Sequence, residues 1–271
     1  MSADNKTKKV TVPAIMQMKK DKVKITVLTA YDRLMARMLD EAGLDIILVG
    51  DSVGMVLAGF ESTIPVTMDM MLYHTAAVKR GVQRALLVAD MPFLSYQINI
   101  ETAVRNAGRL LQEAGAEAVK VEGGDAVAET IHKLVSYGIP VMGHLGLTPQ
   151  SINQFGGYIV VGKEDKTANL LLKNSKILEQ AGIFALVLEK IPAALAKEIT
   201  RKLKIPTIGI GAGKYCDGQV LVTYDMLGMF EQFQPKFARR YVNLAEVMRT
   251  AFAQYNKDVK SGLFPDNNES Y

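Results

Sequence analysis

Seven ionisable residues stand just beyond short apolar runs in this chain: Asp32, Asp51, Asp90, Glu122, His144, Glu189 and Asp225. Carboxylates so placed can hold a hard cation or move protons. Two like charges about 4 Å apart repel by roughly 4 kcal/mol at an effective dielectric near 20. Asp51, Asp90 and Glu122, brought together from three adjacent strands, therefore predict a divalent metal ion among them. Oxygen-only ligands favour Mg2+ or a similar ion over a structural zinc, which usually brings Cys or His. Two plainer readings stand beside this one. The carboxyls could be protonated or paired with Lys120, and an Asp after a strand often only caps the next helix.

The elements that must carry these groups form a regular series. Apolar runs at Ile25–Ala30, Ile46–Val49, Ala85–Ala89, Ala118–Val121, Ile139–Met142, Ala185–Leu188, Ile205–Ile210 and Val220–Thr223 predict eight strands. Their nearly continuous, β-branched character suits a parallel sheet covered on both sides. Between them lie segments long enough for crossover helices. Ala103, Val104, Ala107, Leu110, Leu111 and Ala114 recur at helical spacing before Gly115. A second helix is predicted from Met68 to Arg80, with Thr67 as its cap. Others are expected near 33–42, 126–137, 166–181, 193–203 and 238–260. Eight alternating βα units favour a (β/α)8 TIM barrel, which typically needs about 250 residues. Thr11 and Pro13 announce an extra N-terminal helix closing its bottom.

In such barrels the reacting groups sit at the carboxyl ends of the strands. Side chains alternate along a strand, so Lys120 and Glu122 share the inward face while Val119 and Val121 face outward. The same alternation puts His144 with Met142 and Glu189 with Val187. The irregular stretch from Gly146 to Gly162, after the fifth strand, is expected to be an active-site lid.

Composition agrees with a packed enzyme core: 49% of the 271 residues are hydrophobic, 22% charged and 7% aromatic, which excludes a disordered or disulfide-built chain. The net charge of +4 is gathered partly between Lys6 and Lys24 without interleaved aromatics, which argues against a nucleic-acid partner. No apolar run is long enough to span a membrane, and the single cysteine, Cys216, can form no intrachain disulfide. A cytoplasmic location is expected. No linker composition divides the chain, so one domain is expected over residues 1–271, with flexible tails at about 1–10 and 265–271.

Eight motifs occur in order: Val49-Gly-Asp-Ser-Val-Gly-Met, Tyr73-His-Thr-Ala-Ala-Val, Ala89-Asp-Met-Pro-Phe, Val119-Lys-Val-Glu-Gly-Gly, Gly143-His-Leu-Gly-Leu-Thr-Pro-Gln-Ser, Leu188-Glu, Gly209-Ile-Gly-Ala-Gly and Pro235-Lys-Phe. Together, over residues 10 to 265, they closely resemble the 3-methyl-2-oxobutanoate (ketopantoate) hydroxymethyltransferase family. The resemblance implies a Mg2+-dependent TIM barrel, assembled as a homodecamer. Its reaction would move a one-carbon unit from 5,10-methylenetetrahydrofolate to the small-molecule 2-oxoacid 3-methyl-2-oxobutanoate, giving 2-dehydropantoate in pantothenate synthesis. It also implies metal contacts at Asp51, Asp90 and Glu122, 2-oxoacid contacts at Asp51, Ser52, Asp90 and Lys120, and a catalytic base at Glu189. Lys190, beside that base, departs from the small or apolar residues that also occur there in relatives.

Other residues carry less. His144 could orient substrate or move a proton, or be a structural histidine. His74 and His132 fall within predicted helices, and Gly209-Ile-Gly-Ala-Gly reads as a tight turn. The nearest competing activity is a phosphoenolpyruvate mutase or isocitrate lyase type of Mg2+-dependent barrel acting on another 2-oxoacid. No Lys-Cys-Gly-His lid motif supports it.

Overall fold

Eight parallel strands follow one another around a closed barrel in sequence order: β1 (Ile25–Thr29), β2 (Ile46–Val49), β3 (Leu86–Asp90), β4 (Ala118–Glu122), β5 (Val141–Gly146), β6 (Ala185–Glu189), β7 (Thr207–Ile210) and β8 (Gly218–Leu221). β8 pairs back onto β1, so no strand edge is left unpaired. This computed structural model describes residues 8–231 and 235–271; most of the N-terminal tail expected to be flexible, residues 1–7, falls outside them. Contacts group the chain into two compact units, Met1–Leu221 and Val222–Tyr271. Each is taken by itself.

In the first unit, the barrel is a (β/α)8 fold carrying the helices α1 (Val12–Lys20), α2 (Arg33–Glu41), α3 (Met68–Lys79), α4 (Ile100–Gln112), α5 (Ala128–Ser136), α6 (Asp165–Ala181) and α7 (Ala193–Lys202). The caps expected from sequence form: Thr67 accepts the Met70 N–H at 3.3 Å, and Asp32 accepts the Met35 N–H at 2.9 Å. Asp32 is thus a helix cap. The link from β7 to β8, residues 211–217, contains no helix, so the βα alternation lapses there. Its glycines Gly211 and Gly213 have positive φ, as a tight turn requires.

Alternation along the strands explains the core. Ile25 and Val27, Ile46 and Leu48, Leu86 and Val88, Ala118, Met142, Ala185 and Val187, Ile208 and Val220 form one buried cluster. Val10 and Ile15, before and on α1, join it from below. Lys19 of α1 fastens that floor, donating to Asp217 Oδ2 at 2.7 Å and to the Thr200 carbonyl at 2.9 Å. Lys9 does the same toward Glu117 Oε2, at 2.7 Å, and the Ala85 carbonyl, at 2.6 Å. The expected extra helix therefore closes the amino-terminal end of the barrel.

Two strands lie elsewhere than the apolar runs suggest. β5 starts at Val141, after Pro140, which has no N–H to give a ladder, and continues through Gly143-His-Leu-Gly. His144 is therefore inside the strand, not beyond it. β8 begins at Gly218 and ends at Leu221, so Asp225 does not stand at a strand end. It lies in the short helix Thr223–Met226 of the second unit, where burial pushes its carboxyl up to about 6 against the opposing charge of Arg240.

That second unit also contains α8 (Leu244–Ser261), which starts later than the expected position 238. The preceding residues return to the short helix instead: the Tyr241 N–H bonds the Met226 carbonyl at 2.9 Å and the Leu244 N–H bonds that of Leu227 at 2.8 Å. None of the described helices is long and apolar enough to cross a membrane.

Candidate active site

The inward face that is apolar low in the barrel becomes polar at the carboxyl ends of four consecutive strands. Following the period of two, Val88 leads to Asp90, Ala118 to Lys120 and Glu122, Met142 to His144, and Val187 to Glu189. The ladder register pairs Asp90 with Lys120, Glu122 with His144, and Gly146 with Glu189. Asp51 and Ser52 join from the turn after β2. Gly50 is needed there, because a Cβ on it would come within 2.7 Å of Ser52 Oγ and 3.6 Å of Asp90 Oδ2.

Lys120 is at the centre, 5% exposed, with its Nζ 3.1 Å from Asp90 Oδ1, 3.5 Å from Glu122 Oε1 and 3.2 Å from His144 Nδ1. The Asp51 N–H donates to Asp90 Oδ2 at 3.0 Å. His144 spans two carboxylates: Nδ1 lies 3.3 Å from Glu122 Oε1, and Nε2 lies 3.4 Å from Glu189 Oε2. Ser52 Oγ is hydrogen-bonded to the Tyr31 hydroxyl at 2.8 Å, and Tyr31 is itself buried.

Burial dominates the electrostatics of this cluster. It holds Asp51 well above the usual carboxylate range, helped by the charges of Asp90 and Glu122 and opposed by Lys120 and the Gln150 hydrogen bond. Asp90 is raised by burial too, with Lys120 and the Asp51 N–H pulling against it. Burial alone would lower the Lys120 pKa, but Asp90, Glu122 and Asp51 outweigh it and raise it, so the ammonium is retained. Glu122, despite burial, is lowered by Lys120 and His144. Burial and Lys120 disfavour a charged His144, yet Glu122 and Glu189 win and push it up to about 9. With Nδ1 facing Lys120 and Glu122, Nε2 is the nitrogen turned toward Glu189.

Among the described residues, no three His, Cys, Asp or Glu side chains are gathered as a ready metal cage. Glu122 is already engaged, Oε1 by Lys120 and His144 and Oε2 by the Gln150 N–H at 3.1 Å. Asp90 is engaged in the same way by Lys120 and the Asp51 N–H, and Asp51 by Gln150, but the charged forms of Asp51 and Asp90 are disfavoured. That donor chemistry fits a hard cation, whose charge would offset both burial and repulsion.

Residues with no motif of their own complete the cluster. Gln150 Nε2 donates to Asp51 Oδ2 and to the Met91 carbonyl, each at 2.9 Å. Its Oε1 accepts from the Tyr96 hydroxyl at 2.8 Å and from Gln97 Nε2 at 3.2 Å. Tyr96 and Tyr31 give no periodic signal because they lie in loops; Gln150 was visible only as part of the Gly143–Ser151 motif. The other histidines stay apart: His74 Nδ1 bonds the Tyr31 carbonyl at 2.7 Å, and His132 is exposed on α5.

The stretch from Gly146 to Gly162 starts beside Glu189 and passes near it again. Gly146 has φ 99°, and a Cβ on it would lie 2.1 Å from the Glu189 carbonyl oxygen. Further on, Tyr158 places its hydroxyl 3.2 Å from Met55 Sδ, and burial with the charges of Glu189 and Asp51 raises its pKa. Lys190 ties the segment from below: its Nζ donates to the Tyr158 carbonyl, and its own carbonyl accepts the Val161 N–H at 2.9 Å.

The profile of the family described as ketopantoate hydroxymethyltransferase matches residues 9–267. The chain belongs to this family. It is 57% identical over 271 residues to the 3-methyl-2-oxobutanoate hydroxymethyltransferase of Syntrophus aciditrophicus (strain SB), with 100% of both chains covered. To the enzyme of that name from Thermoanaerobacter sp. (strain X514) it is 55% identical over 263 residues, covering 97% of this chain and 96% of the relative. Solved structures share the barrel beyond the family. A 2,3-dimethylmalate lyase of the PEP mutase/isocitrate lyase superfamily superimposes with a TM-score of 0.62 at 16% identity, over 91% of this chain and 87% of its own. A phosphonopyruvate hydrolase crystallised with oxalate and Mg2+ gives 0.62 at 14%, over 95% and 92%. At such identities the likeness is one of fold, and it gives the competing lyase or mutase activity no further support.

Proposed function

We propose that this chain transfers a one-carbon unit from 5,10-methylenetetrahydrofolate to 3-methyl-2-oxobutanoate, with consumption of one water, to give 2-dehydropantoate and tetrahydrofolate in pantothenate synthesis. The observation that carries the reading is the position of Glu189: a carboxylate at the inward end of β6, facing the His144 ring across 3.4 Å and separate from the Asp51, Asp90 and Lys120 group. A base apart from a charge-binding cluster is what abstraction of a proton beside a ketone needs. The relatives' names supply the substrate.

Lys120 and Ser52 offer donors to the substrate carboxylate. Glu189 takes the proton from C3, and the freed electron pair bonds the methylene carbon as one folate C–N bond opens; water then displaces the remaining folate nitrogen, supplying the hydroxyl and releasing tetrahydrofolate. Asp51 and Asp90, with Glu122 beside them, would hold Mg2+ or a related divalent ion; bound there, it would draw charge from the 2-oxo oxygen, an effect worth several kcal/mol. The Gly146–Gly162 segment acts as a lid over Glu189, supported by the Tyr158 and Val161 ties to Lys190. The working form is a cytoplasmic homodecamer, on the strength of the family resemblance.

The test is isotope exchange. With Mg2+ and no folate, the protein should exchange the C3 proton of 3-methyl-2-oxobutanoate with deuterated water, followed by NMR. A folded, metal-supplied protein that leaves the signal unchanged defeats the proposal. Glu189→Gln should stop exchange while 2-oxoacid binding persists; loss of binding instead removes Glu189 from the base role.

A further inference from the structure

We infer that Gln150 is a positioning residue that orients the Asp51 and Glu122 carboxylates for a divalent cation and so sets the affinity of the site. The inference rests on the cation site proposed above. Gln150 is 5% exposed, and both ends of its amide are engaged: Nε2 donates to Asp51 Oδ2 and the Met91 carbonyl, while Oε1 accepts from Tyr96 and Gln97. Turned over, the amide would set Oε1 against two acceptors, Asp51 Oδ2 and the Met91 carbonyl, so only one orientation is satisfied.

The same residue reaches Glu122 through its backbone N–H, at 3.1 Å from Oε2. Tyr96 closes the loop: its hydroxyl meets the Glu122 carbonyl at 3.1 Å and accepts the Glu122 N–H at 3.2 Å. One glutamine, in the turn Pro149–Ser151 that opens the lid segment, thus holds carboxylates from two different strand ends. Groups that orient ligands from behind typically change metal affinity by about 10–100-fold when removed.

The experiment is titration of the purified full-length chain with Mn2+ alone, free ion being read by electron paramagnetic resonance. Gln150→Met keeps length and volume but removes the side-chain hydrogen bonds; it should weaken Mn2+ binding about 10–100-fold. Tyr96→Phe leaves the Asp51 donor in place but leaves Oε1 with Gln97 Nε2 alone, and should weaken binding severalfold. Excess Mn2+ should restore C3 exchange in both variants, which a purely structural defect would not allow. Wild-type affinity in Gln150→Met overturns the inference, as does wild-type affinity in Tyr96→Phe should the first variant fail to fold. Absence of Mn2+ binding in the wild type overturns the cation site itself. Because binding is read without substrate, the outcome is independent of whether the hydroxymethyl transfer is established.

Discussion

The Nε2 of His144 faces Oε2 of Glu189 across 3.4 Å, while the other nitrogen of the ring faces Glu122. A single imidazole ring therefore links the carboxylate assigned to proton abstraction with Glu122, which Lys120 also meets. Replacing it by a neutral side chain leaves Glu189 without its partner. His144→Gln should lower kcat by roughly 100-fold, the low end for a lost acid–base partner, with little change in KM. Steady-state kinetics that leave kcat untouched would return His144 to a structural role.

Lys120 is the cation among three buried carboxyls. Lys120→Met leaves Asp90 and Glu122 without it, and breaking a buried pair typically costs about 3–5 kcal/mol. Urea denaturation at pH 7 should register a loss of that order. A loss under about 1 kcal/mol would mean the carboxyls simply protonate in its absence.

A methyl group on Gly146 would strike the Glu189 backbone and also occupy a left-handed conformation. Gly146→Ala should destabilise the protein by more than about 1 kcal/mol and shift Glu189 enough to slow C3 exchange. Unchanged melting and exchange would show that the β5–β6 junction gives way freely.

Asp225 provides the pH test. Its carboxyl is raised from 3.8 to about 6 in the folded state, so the native protein binds the proton more tightly than the unfolded chain. The contribution is present below about pH 4 and is lost as pH rises through 6. The group is partly exposed, so the effect is at most about 1 kcal/mol after solvent screening. Asp225→Asn should flatten the decline in denaturation midpoint between pH 4 and 8. A slope identical to wild type would count against the raised carboxyl.

Much of this was legible because alternation is a strict rule. Lys120 and Glu122 share a parity with Ala118, so once the strand is located their inward direction follows, and the buried cluster continues from the same positions. Strand limits were harder where polar residues extend a strand, as Gly143-His-Leu-Gly extends β5, or where an apolar run outlasts it, as Val222 outlasts β8. Gln150 and Tyr96 could not be found by periodicity at all. Their roles come from hydrogen bonds between loops far apart in sequence, and local pattern carries no information about such pairs.

The floor built by α1, Val10 and the Lys19–Asp217 bond has a kinetic consequence. With the amino-terminal end closed by that floor and the apolar cluster filling the layer above it, the polar groups lie on the far side of a packed plug. Exchange of solutes with the strand-end groups is thereby confined to the opposite face from that floor.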